Sequence, residues 1–308
     1  MPQAASRRPD AAPECALPGL RAWANRYDAL LCDVWGVVHD GRDAHPAAAD
    51  ALRRFRAAGR AVVLITNAPR PAAPIQAQLD RMGVGRDAYD AIVSSGDVTV
   101  AAIVRRGDAA PFHMGPARDL PLFTEAAARL GRDVSRAASI AEADYVVCSG
   151  LWDDRDHPDA YAPALAAMRE RNLPMICANP DIVVHVGADL VWCAGALAER
   201  YEAMGGAVTW IGKPHPLIYQ AAREAAESAL GRPVAPARTL AVGDGVNTDI
   251  AGARRFGCDA ILVTSGIHRD RLHRDGPDGR WEVEPASYAA LVREAGVAPT
   301  GHMPALAW

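Results

Sequence analysis

Short apolar runs ending in Asp, Thr or Gly alternate along this chain with alanine-rich stretches of helical period. Ala48, Leu52 and Phe55 form one apolar stripe on the first of these predicted helices, and Gly59 is placed to end it. Such alternation is typical of right-handed β–α–β units. The sequence therefore predicts an α/β fold with a doubly wound, Rossmann-like parallel sheet, whose strands we assign to 28–34, 61–66, 90–94, 207–211, 238–243 and 259–264.

The middle of the chain carries an alternation of its own. Its predicted strands are 110–114, 144–148, 173–177 and 189–193, and its predicted helices are 158–170 and 194–204. We interpret residues 97–206 as an inserted second domain and residues 19–96 with 207–308 as the core. Residues 1–18 are rich in alanine and proline and are predicted to form a disordered tail.

Charge and cysteine usage exclude several classes of partner. A formal net charge of −4 over 308 residues argues against a nucleic acid or an anionic membrane as the partner. The six cysteines contain no C-x-x-C pair, which suits a reducing compartment. The first twenty residues lack the apolar segment of a secretory signal, and no run approaches the roughly 20 apolar residues of a membrane span. We therefore expect a cytoplasmic protein with a small-molecule partner.

Asp33 ends the first predicted strand and is followed, after Val34 and Trp35, by a turn at Gly36. In a doubly wound sheet the carboxyl ends of the strands open onto the ligand crevice, so we expect this carboxylate to face it. An aspartate at the end of a strand also commonly forms a turn or caps a helix. Taken alone, this motif leaves both roles open.

Thr66 and Asn67 follow the apolar run 61–65 and precede Pro69. A hydroxyl group and the amides of a following helix can hold a phosphate oxygen at such a junction. The alternative is a helix N-cap with an early proline, which needs no ligand.

Lys213 precedes Pro214 at another junction between a predicted strand and a predicted helix. A lysine in this position can supply a fixed positive charge to a phosphate or a carboxylate, or it can be one more surface lysine. It is not a Walker lysine, because Ala207 stands where that loop requires glycine and Pro214 where it requires Ser or Thr.

Asp244 and Asp249 lie five residues apart after the strand 238–243, with Asn247 as the predicted cap of the next helix. Two carboxylates at one strand end provide the hard oxygen ligands that Mg²⁺ prefers. The alternative is a polar turn in which Asp249 compensates the helix dipole.

The four junctions together indicate one functional site. Each follows a predicted strand, and together they supply a nucleophile, phosphate-binding groups, a cation and metal-binding carboxylates. Three acids and one lysine need a further cation to coexist in ionised form, and Mg²⁺ meets that need. A dinucleotide-dependent oxidoreductase is excluded because no G-x-G-x-x-G follows the first strand. The pattern favours phosphoryl transfer.

In this order the four motifs resemble the haloacid dehalogenase (HAD) superfamily, over most of residues 25–270. Segments 178–181, 195–197 and 212–219 are similar to those of its type IIA branch, the NagD-like phosphatases. The resemblance implies a Rossmann-like core with an α/β C2-type cap, which would here be residues 97–206.

The resemblance also implies roles for individual residues. Asp33 would attack phosphorus and form an aspartyl-phosphate, Thr66 and the Asn67 amide would hold the phosphoryl oxygens, and Lys213 would neutralise them. Asn179 and Asp181 would either line the face of the cap over the substrate or shape the turn at Pro180.

The metal ligands are implied in the same way. Mg²⁺ would be bound by the Asp33 carboxylate, the main-chain carbonyl of Trp35 and Asp244, with Asp249 holding its water ligands. In this mechanism the nucleophile displaces the leaving group in line, while the metal ion and the lysine stabilise the phosphoryl oxygens electrostatically.

Trp35 departs from the family pattern, which normally has a second aspartate there to protonate the leaving group. General acid–base catalysis is worth roughly 10²–10⁴-fold, so alkyl phosphate monoesters are expected to be poor substrates. His39 or Asp40 could supply a substitute acid. The alternative is a turn at Asp40 and Gly41 with a solvated His39.

We therefore predict a Mg²⁺-dependent HAD-type hydrolase, a phosphatase of a small phosphorylated metabolite such as a sugar phosphate, a nucleotide or pyridoxal phosphate. The alternative, motivated by Trp35, is a weakly active or inactive protein that binds a phosphorylated ligand for regulation. The sequence leaves open whether the chain forms a homo-oligomer.

Overall fold

A computed structural model describes residues 16–186, 189–275 and 281–308 of the chain. Of the predicted tail, residues 1–15 lie outside the described residues. Leu17 is buried, and its amide nitrogen donates to the carbonyl oxygen of His302 over 2.9 Å. In the part of the chain that the structure describes, none of the helices has both the length and the apolar composition needed to span a bilayer.

Strands and helices alternate through most of the chain. The strands are β1 (Ala29–Asp33), β2 (Ala61–Thr66), β3 (Ala91–Ser94), β4 (Pro111–Met114), β5 (Tyr145–Cys148), β6 (Met175–Cys177), β7 (Val183–Val186), β8 (Asp189–Trp192), β9 (Val208–Trp210), β10 (Thr239–Gly243), β11 (Asp259–Val263), β12 (His273–Asp275), β13 (Trp281–Val283) and β14 (Gly301–Met303). The α-helices are α1 (Arg21–Ala24), α2 (Pro46–Ala57), α3 (Ala72–Arg81), α4 (Ser95–Arg105), α5 (Pro121–Leu130), α6 (Ala162–Glu170), α7 (Ala194–Ala203), α8 (Pro216–Leu230), α9 (Ala251–Phe256), α10 (Arg269–Leu272) and α11 (Pro285–Ala295).

The chain divides into two compact units. The first comprises residues 1–64, 82–91 and 223–308, and the second comprises residues 65–81 and 92–222. These divisions fall inside β2, β3 and α8, at other positions than the boundaries predicted from the sequence. The assignment of a cap to 97–206 stays a prediction.

The first sheet has six strands in the order β14-β11-β10-β1-β2-β3. β1 pairs with β10, β10 with β11 and β11 with β14, all in parallel register. Every residue of β1, β2 and β10 is buried, the pattern of parallel strands covered on both faces. The predicted doubly wound α/β core is confirmed. Its order places β1 and β10 side by side, so their carboxyl ends meet.

The second unit contains a four-stranded parallel sheet in the order β4-β5-β6-β9, and β7 and β8 form a separate antiparallel pair. β9 pairs with β6, so the strand predicted at 207–211 does not belong to the first sheet, where the sequence analysis had placed it. A run of three or four apolar residues predicts that a strand forms, but it does not predict which strand lies beside it in the sheet. The buried core of this unit includes Val146, Met175 and Leu197.

Candidate active site

Three aspartates meet at the carboxyl end of the first sheet. Asp33 is the last residue of β1, Asp244 directly follows β10, and Asp249 lies in a single π-helical turn, Val246–Ile250. One carboxylate oxygen from each lies within 4.8 Å of the others, and the side chains are only 6%, 7% and 3% exposed. The parallel pairing of β1 with β10 brings the first two together, and the π turn adds the third.

Backbone amides orient two of these carboxylates. Asp244 Oδ2 accepts a hydrogen bond from the amide nitrogen of Ile267 over 2.8 Å, and Asp249 Oδ2 accepts one from Gly245 over 3.1 Å. Gly245 is the N-cap of the π turn, so the prediction that Asn247 caps this helix was wrong. Ile267, in the loop after β11, was missed from the sequence. The signal available was its position just beyond another strand end at the same edge of the sheet.

Gly36 makes the approach of Asp244 possible. It has a φ of +79°, which favours glycine, and a Cβ atom at this position would lie 2.0 Å from Asp244 Oδ2. The turn that contains it is held by Gly36 N–H, which donates to the carbonyl of His39 over 2.8 Å. The backbone therefore reserves space for the carboxylate.

The composition of this cluster suits Mg²⁺. All three side chains offer oxygen, the ligand atom that Mg²⁺ prefers. Buried carboxylates at this separation repel one another, and burial of an isolated charge is costly unless a cation compensates it. The residues therefore fit a divalent cation on the chemistry of the donor set and on their burial.

The loop after Asp33 presents an indole to solvent. Trp35 is 48% exposed, and its ring meets the ring of His39 edge-on with centroids 5.4 Å apart. The ring also packs on the backbone of Gly41, because a Cβ atom there would lie 2.4 Å from it. The indole is thus supported from two directions and exposed on the rest of its surface.

The alternative of a solvated His39 was wrong, since the side chain is only 3% exposed. Its Nδ1 accepts a hydrogen bond from the amide nitrogen of Gly41 over 2.9 Å, and burial lowers the pKa of the ring. Asp40 forms the predicted turn. Its Oδ1 accepts hydrogen bonds from the amides of Asp43 and Arg42, which lower the pKa of the carboxyl.

In the second unit, Asn67 binds the backbone of Lys213 on both sides. The amide nitrogen of Lys213 donates to Asn67 Oδ1 over 2.6 Å, and Asn67 Nδ2 donates to the carbonyl oxygen of Lys213 over 3.0 Å. Lys213 is 3% exposed and Asn67 is 7% exposed. The structure adds a role for the Asn67 side chain, which holds the backbone of Lys213, and the phosphate contact assigned to the Asn67 main-chain amide stays a prediction.

The segment 179–181 joins this arrangement. Asn67 Nδ2 also donates to Asp181 Oδ1 over 2.8 Å, and Asn179 Oδ1 accepts from the amide of Asp181 over 3.1 Å. Gly212 has a φ of +111°, and a Cβ atom there would lie 2.7 Å from Asn67 Oδ1. Asn67, Asp181 and Lys213 therefore form one hydrogen-bonded group. Asn179 holds the turn at Pro180 through its bond to Asp181, and its role in substrate binding stays a prediction.

Thr66, the last residue of β2, is 9% exposed, and its Oγ1 accepts a hydrogen bond from the amide of Ala68 over 3.3 Å. This bond lies within a turn and does not cap a helix, because the next helix, α3, begins only at Ala72; the alternative of a helix N-cap at this junction was therefore wrong. The structure thus assembles the predicted residues in two groups, one in each unit.

Comparison with known proteins decides the family. A family model described as haloacid dehalogenase-like hydrolase matches residues 30–128, and a HAD-hydrolase-like model matches residues 210–295. The crystal structure of a haloacid dehalogenase-like hydrolase from Brucella suis 1330 is 41% identical, with a TM-score of 0.78, and the match covers 94% of this chain and 100% of that one. The chain belongs to the haloacid dehalogenase-like hydrolase family.

Curated relatives support the branch of the family. Human chronophin is 28% identical over 81% of this chain and 85% of its own length. The ribonucleotide monophosphatase NagD of Escherichia coli K12 is 28% identical over 77% of this chain and 88% of its own length. The type IIA, NagD-like assignment and the phosphatase class that it predicts are confirmed.

Proposed function

We propose that this HAD-type hydrolase is a Mg²⁺-dependent phosphatase of a small phosphorylated metabolite, acting through a covalent aspartyl-phosphate at Asp33. The observation that carries the proposal is the buried cluster of Asp33, Asp244 and Asp249, with carboxylate oxygens within 4.8 Å of one another at the strand ends. A cluster of this kind is costly to bury without a cation and is well suited to bind one.

Asp33 is the nucleophile in this proposal. One carboxylate oxygen attacks phosphorus, the bond from phosphorus to the leaving oxygen breaks, and the leaving group departs with the electron pair. Water then attacks phosphorus, inorganic phosphate leaves, and the Asp33 carboxylate is regenerated. Phosphoryl transfer of this kind depends mainly on positioning and electrostatic stabilisation, which a rigid strand end provides.

Asp33, Asp244 and the carbonyl of Trp35 would hold Mg²⁺ directly, and Asp249 would hold its water ligands. The ion would supply positive charge to the phosphoryl oxygens and neutralise the carboxylates. The amides of Ile267 and Gly245 keep two of these carboxylates oriented, as described above.

Lys213 and the hydroxyl of Thr66 would bind the phosphoryl oxygens in this mechanism. A buried ammonium is worth more than an exposed one, because the lower local dielectric strengthens its attraction to phosphate. Asn67 acts through the lysine by fixing its backbone. Asn179 and Asp181 are proposed to contribute to substrate binding.

The test is a phosphometabolite panel with and without Mg²⁺, combined with trapping of the intermediate. We expect Mg²⁺-dependent phosphate release, loss of activity in Asp33→Asn, and a rapid-quench adduct that peptide mapping places on Asp33. Exposed Asp108→Asn serves as the matched control, because its side chain is 94% exposed. Absence of both turnover and adduct across the panel would favour the regulatory ligand-binding alternative instead.

A further inference from the structure

Two large apolar side chains are exposed beside the acidic cluster of the first unit. Trp35, two residues after Asp33, is 48% exposed, and Ile267, whose amide binds Asp244, is 63% exposed. Among the described residues, only Trp152 and Met204 are other large apolar side chains of comparable exposure. Apolar side chains exposed next to catalytic groups are typical of a ligand-binding surface.

The exposed indole is held in a fixed position. Its six-membered ring lies on the backbone of Gly41, where a Cβ atom would come within 2.4 Å, and the ring of His39 supports it edge-on. A ring that is already ordered loses little conformational entropy when a ligand binds. Trp35 therefore offers a preformed flat surface.

The loop that carries Trp35 places an indole, and not a carboxylic acid, two residues after Asp33. Indole does not ionise near neutral pH, so its ring cannot protonate a leaving group. His39 presents Nδ1 as a hydrogen-bond acceptor to Gly41, and Asp40 accepts two backbone hydrogen bonds that favour its ionised form. A leaving group that needs protonation would receive no proton from Trp35.

We propose, building on the phosphatase function above, that the substrate is an aryl phosphate monoester whose aromatic leaving group stacks on Trp35 and contacts Ile267. Asp33 attacks phosphorus, the bond from phosphorus to the aryl oxygen breaks, and the phenolate leaves with the electron pair and takes a proton from solvent. Water releases inorganic phosphate from Asp33 and loses one proton to solvent. A phenolate is stable enough to leave without an acid, since phenols ionise near pH 10.

The first experiment compares kcat/KM values in Mg²⁺ for 2-naphthyl, phenyl, ethyl and acetyl phosphate. Acetyl phosphate has a good leaving group without an aromatic ring, so it reports phosphoryl transfer alone. We expect phenyl phosphate to exceed ethyl phosphate at least about 100-fold, the size of a general-acid effect. Naphthyl and phenyl leaving groups ionise similarly, so naphthyl phosphate should exceed phenyl phosphate about fivefold through stacking.

The second experiment uses variants. Trp35→Ala should lower the ratio of kcat/KM for naphthyl phosphate to that for acetyl phosphate about tenfold, in line with one lost stacking contact. Trp35→Phe should recover most of this ratio, and Ile267→Ala should lower it about threefold. Met204→Ala, an exposed apolar side chain at the end of α7, should leave it unchanged.

The outcomes separate the two proposals. Hydrolysis of acetyl phosphate would support the phosphatase proposal. The aryl phosphate proposal would nevertheless be wrong if ethyl phosphate were turned over as fast as phenyl phosphate. It would also be wrong if substitution of Trp35 and Ile267 left the naphthyl-to-acetyl ratio of kcat/KM unchanged. If acetyl phosphate is not hydrolysed and Asp33 is not modified, the phosphatase proposal itself fails.

Discussion

Asn67 brackets the backbone of Lys213, accepting a hydrogen bond from its amide at 2.6 Å and donating one to its carbonyl oxygen at 3.0 Å. The primary amide thus pairs with the lysine as a neighbouring strand would. Since both residues are buried, water cannot replace these bonds if the side chain is lost. The position of the Lys213 backbone therefore depends on the Asn67 side chain.

Asn67→Ala is expected to lower kcat at least about tenfold and the free energy of unfolding by about 2 kcal/mol, because two buried backbone groups lose their partners. The substitution keeps the Asn67 main-chain amide. It therefore distinguishes positioning of Lys213 by the side chain from binding of phosphate by that amide. Steady-state kinetics and urea unfolding give the two values, with exposed Asn25→Ala as the control. Unchanged kcat would show that the side chain has no positioning role.

Gly36→Ala is expected to weaken Mg²⁺ binding, because the new Cβ atom would lie 2.0 Å from Asp244 Oδ2 and displace the carboxylate. Gly59 provides a closely matched control. Its φ is +77°, against +79° at Gly36, but a Cβ atom at Gly59 would have nothing within 4 Å. Both alanine variants should lose about 1 kcal/mol of stability from backbone strain. Only Gly36→Ala should raise the Mg²⁺ dissociation constant, measured by calorimetry, and equal constants would contradict this geometry.

If Mg²⁺ binds the acidic cluster as proposed, its removal should lower the melting temperature, because the bound ion would relieve repulsion between the carboxylates. Ligand binding at 100 times the dissociation constant stabilises a protein by about 2.7 kcal/mol. Asp244→Asn should melt higher than the unchanged chain in EDTA and gain less from Mg²⁺, since one negative charge is gone. Differential scanning calorimetry in EDTA and in excess Mg²⁺ provides the comparison. An equal gain in the unchanged chain and in the variant would argue against Asp244 as a ligand.

The positions of the strand ends could be predicted from the sequence because each buried strand is a short apolar run, and the strand ends where the run ends. Asp33, Thr66 and Asp244 all lie at or directly after the end of a strand, as expected. The sheet to which 207–211 belongs could not be predicted, because pairing is decided by distant residues. β9 joins β6 through contacts that its own pattern does not encode.

The orienting contacts of the site were also beyond the sequence. The amide of Ile267 and the side chain of Asn67 act through hydrogen bonds to Asp244 and Lys213, residues distant in the chain. His39 was expected to be solvated because it is polar and lies next to a turn, but the fold buries it against Trp35. Burial and hydrogen-bond partners are tertiary properties, and a local pattern constrains them weakly.

The second unit contains a polar cluster near the ends of β4 and β5, in which Asp119 and Ser149 are buried and His113 is partly buried. His113 Nε2 lies 2.9 Å from Ser149 Oγ, and the Ser149 hydroxyl is also hydrogen-bonded to Asp119. Burial raises the pKa of Asp119 to about 6 and lowers the pKa of His113 to about 4, the latter with help from Arg136. Each group is thus held towards its neutral form.

The two groups should have opposite effects on stability between pH 4 and pH 6. Asp119, with its pKa raised, costs about 3 kcal/mol once pH rises above about 6, at about 1.4 kcal/mol per pKa unit. His113, with its pKa lowered, costs about 3 kcal/mol once pH falls below about 4. Asp119→Asn should therefore lose stability on acidification from pH 6.5 to 4, and His113→Gln should gain it. Urea unfolding at pH 7.5, 5.5 and 4 gives the free energy of unfolding as a function of pH, with exposed Asp133→Asn as the control. If this free energy changed with pH in the same way in both variants, the opposite pKa shifts assigned to Asp119 and His113 would be wrong.

Trp35→Asp tests whether the indole takes the place of an acid. A carboxyl group two residues after Asp33 could protonate an alkoxide leaving group, while the stacking surface for an aromatic ring would be lost. Turnover of ethyl phosphate should rise at least about tenfold, within the range of general acid catalysis, and turnover of naphthyl phosphate should fall. Trp35→Asn removes the indole without adding an acid. Turnover of naphthyl phosphate should therefore fall in this variant, and turnover of ethyl phosphate should not rise. If both substrates decline equally in both variants, Trp35 supports the loop through its packing on His39 and Gly41 and does not select the substrate.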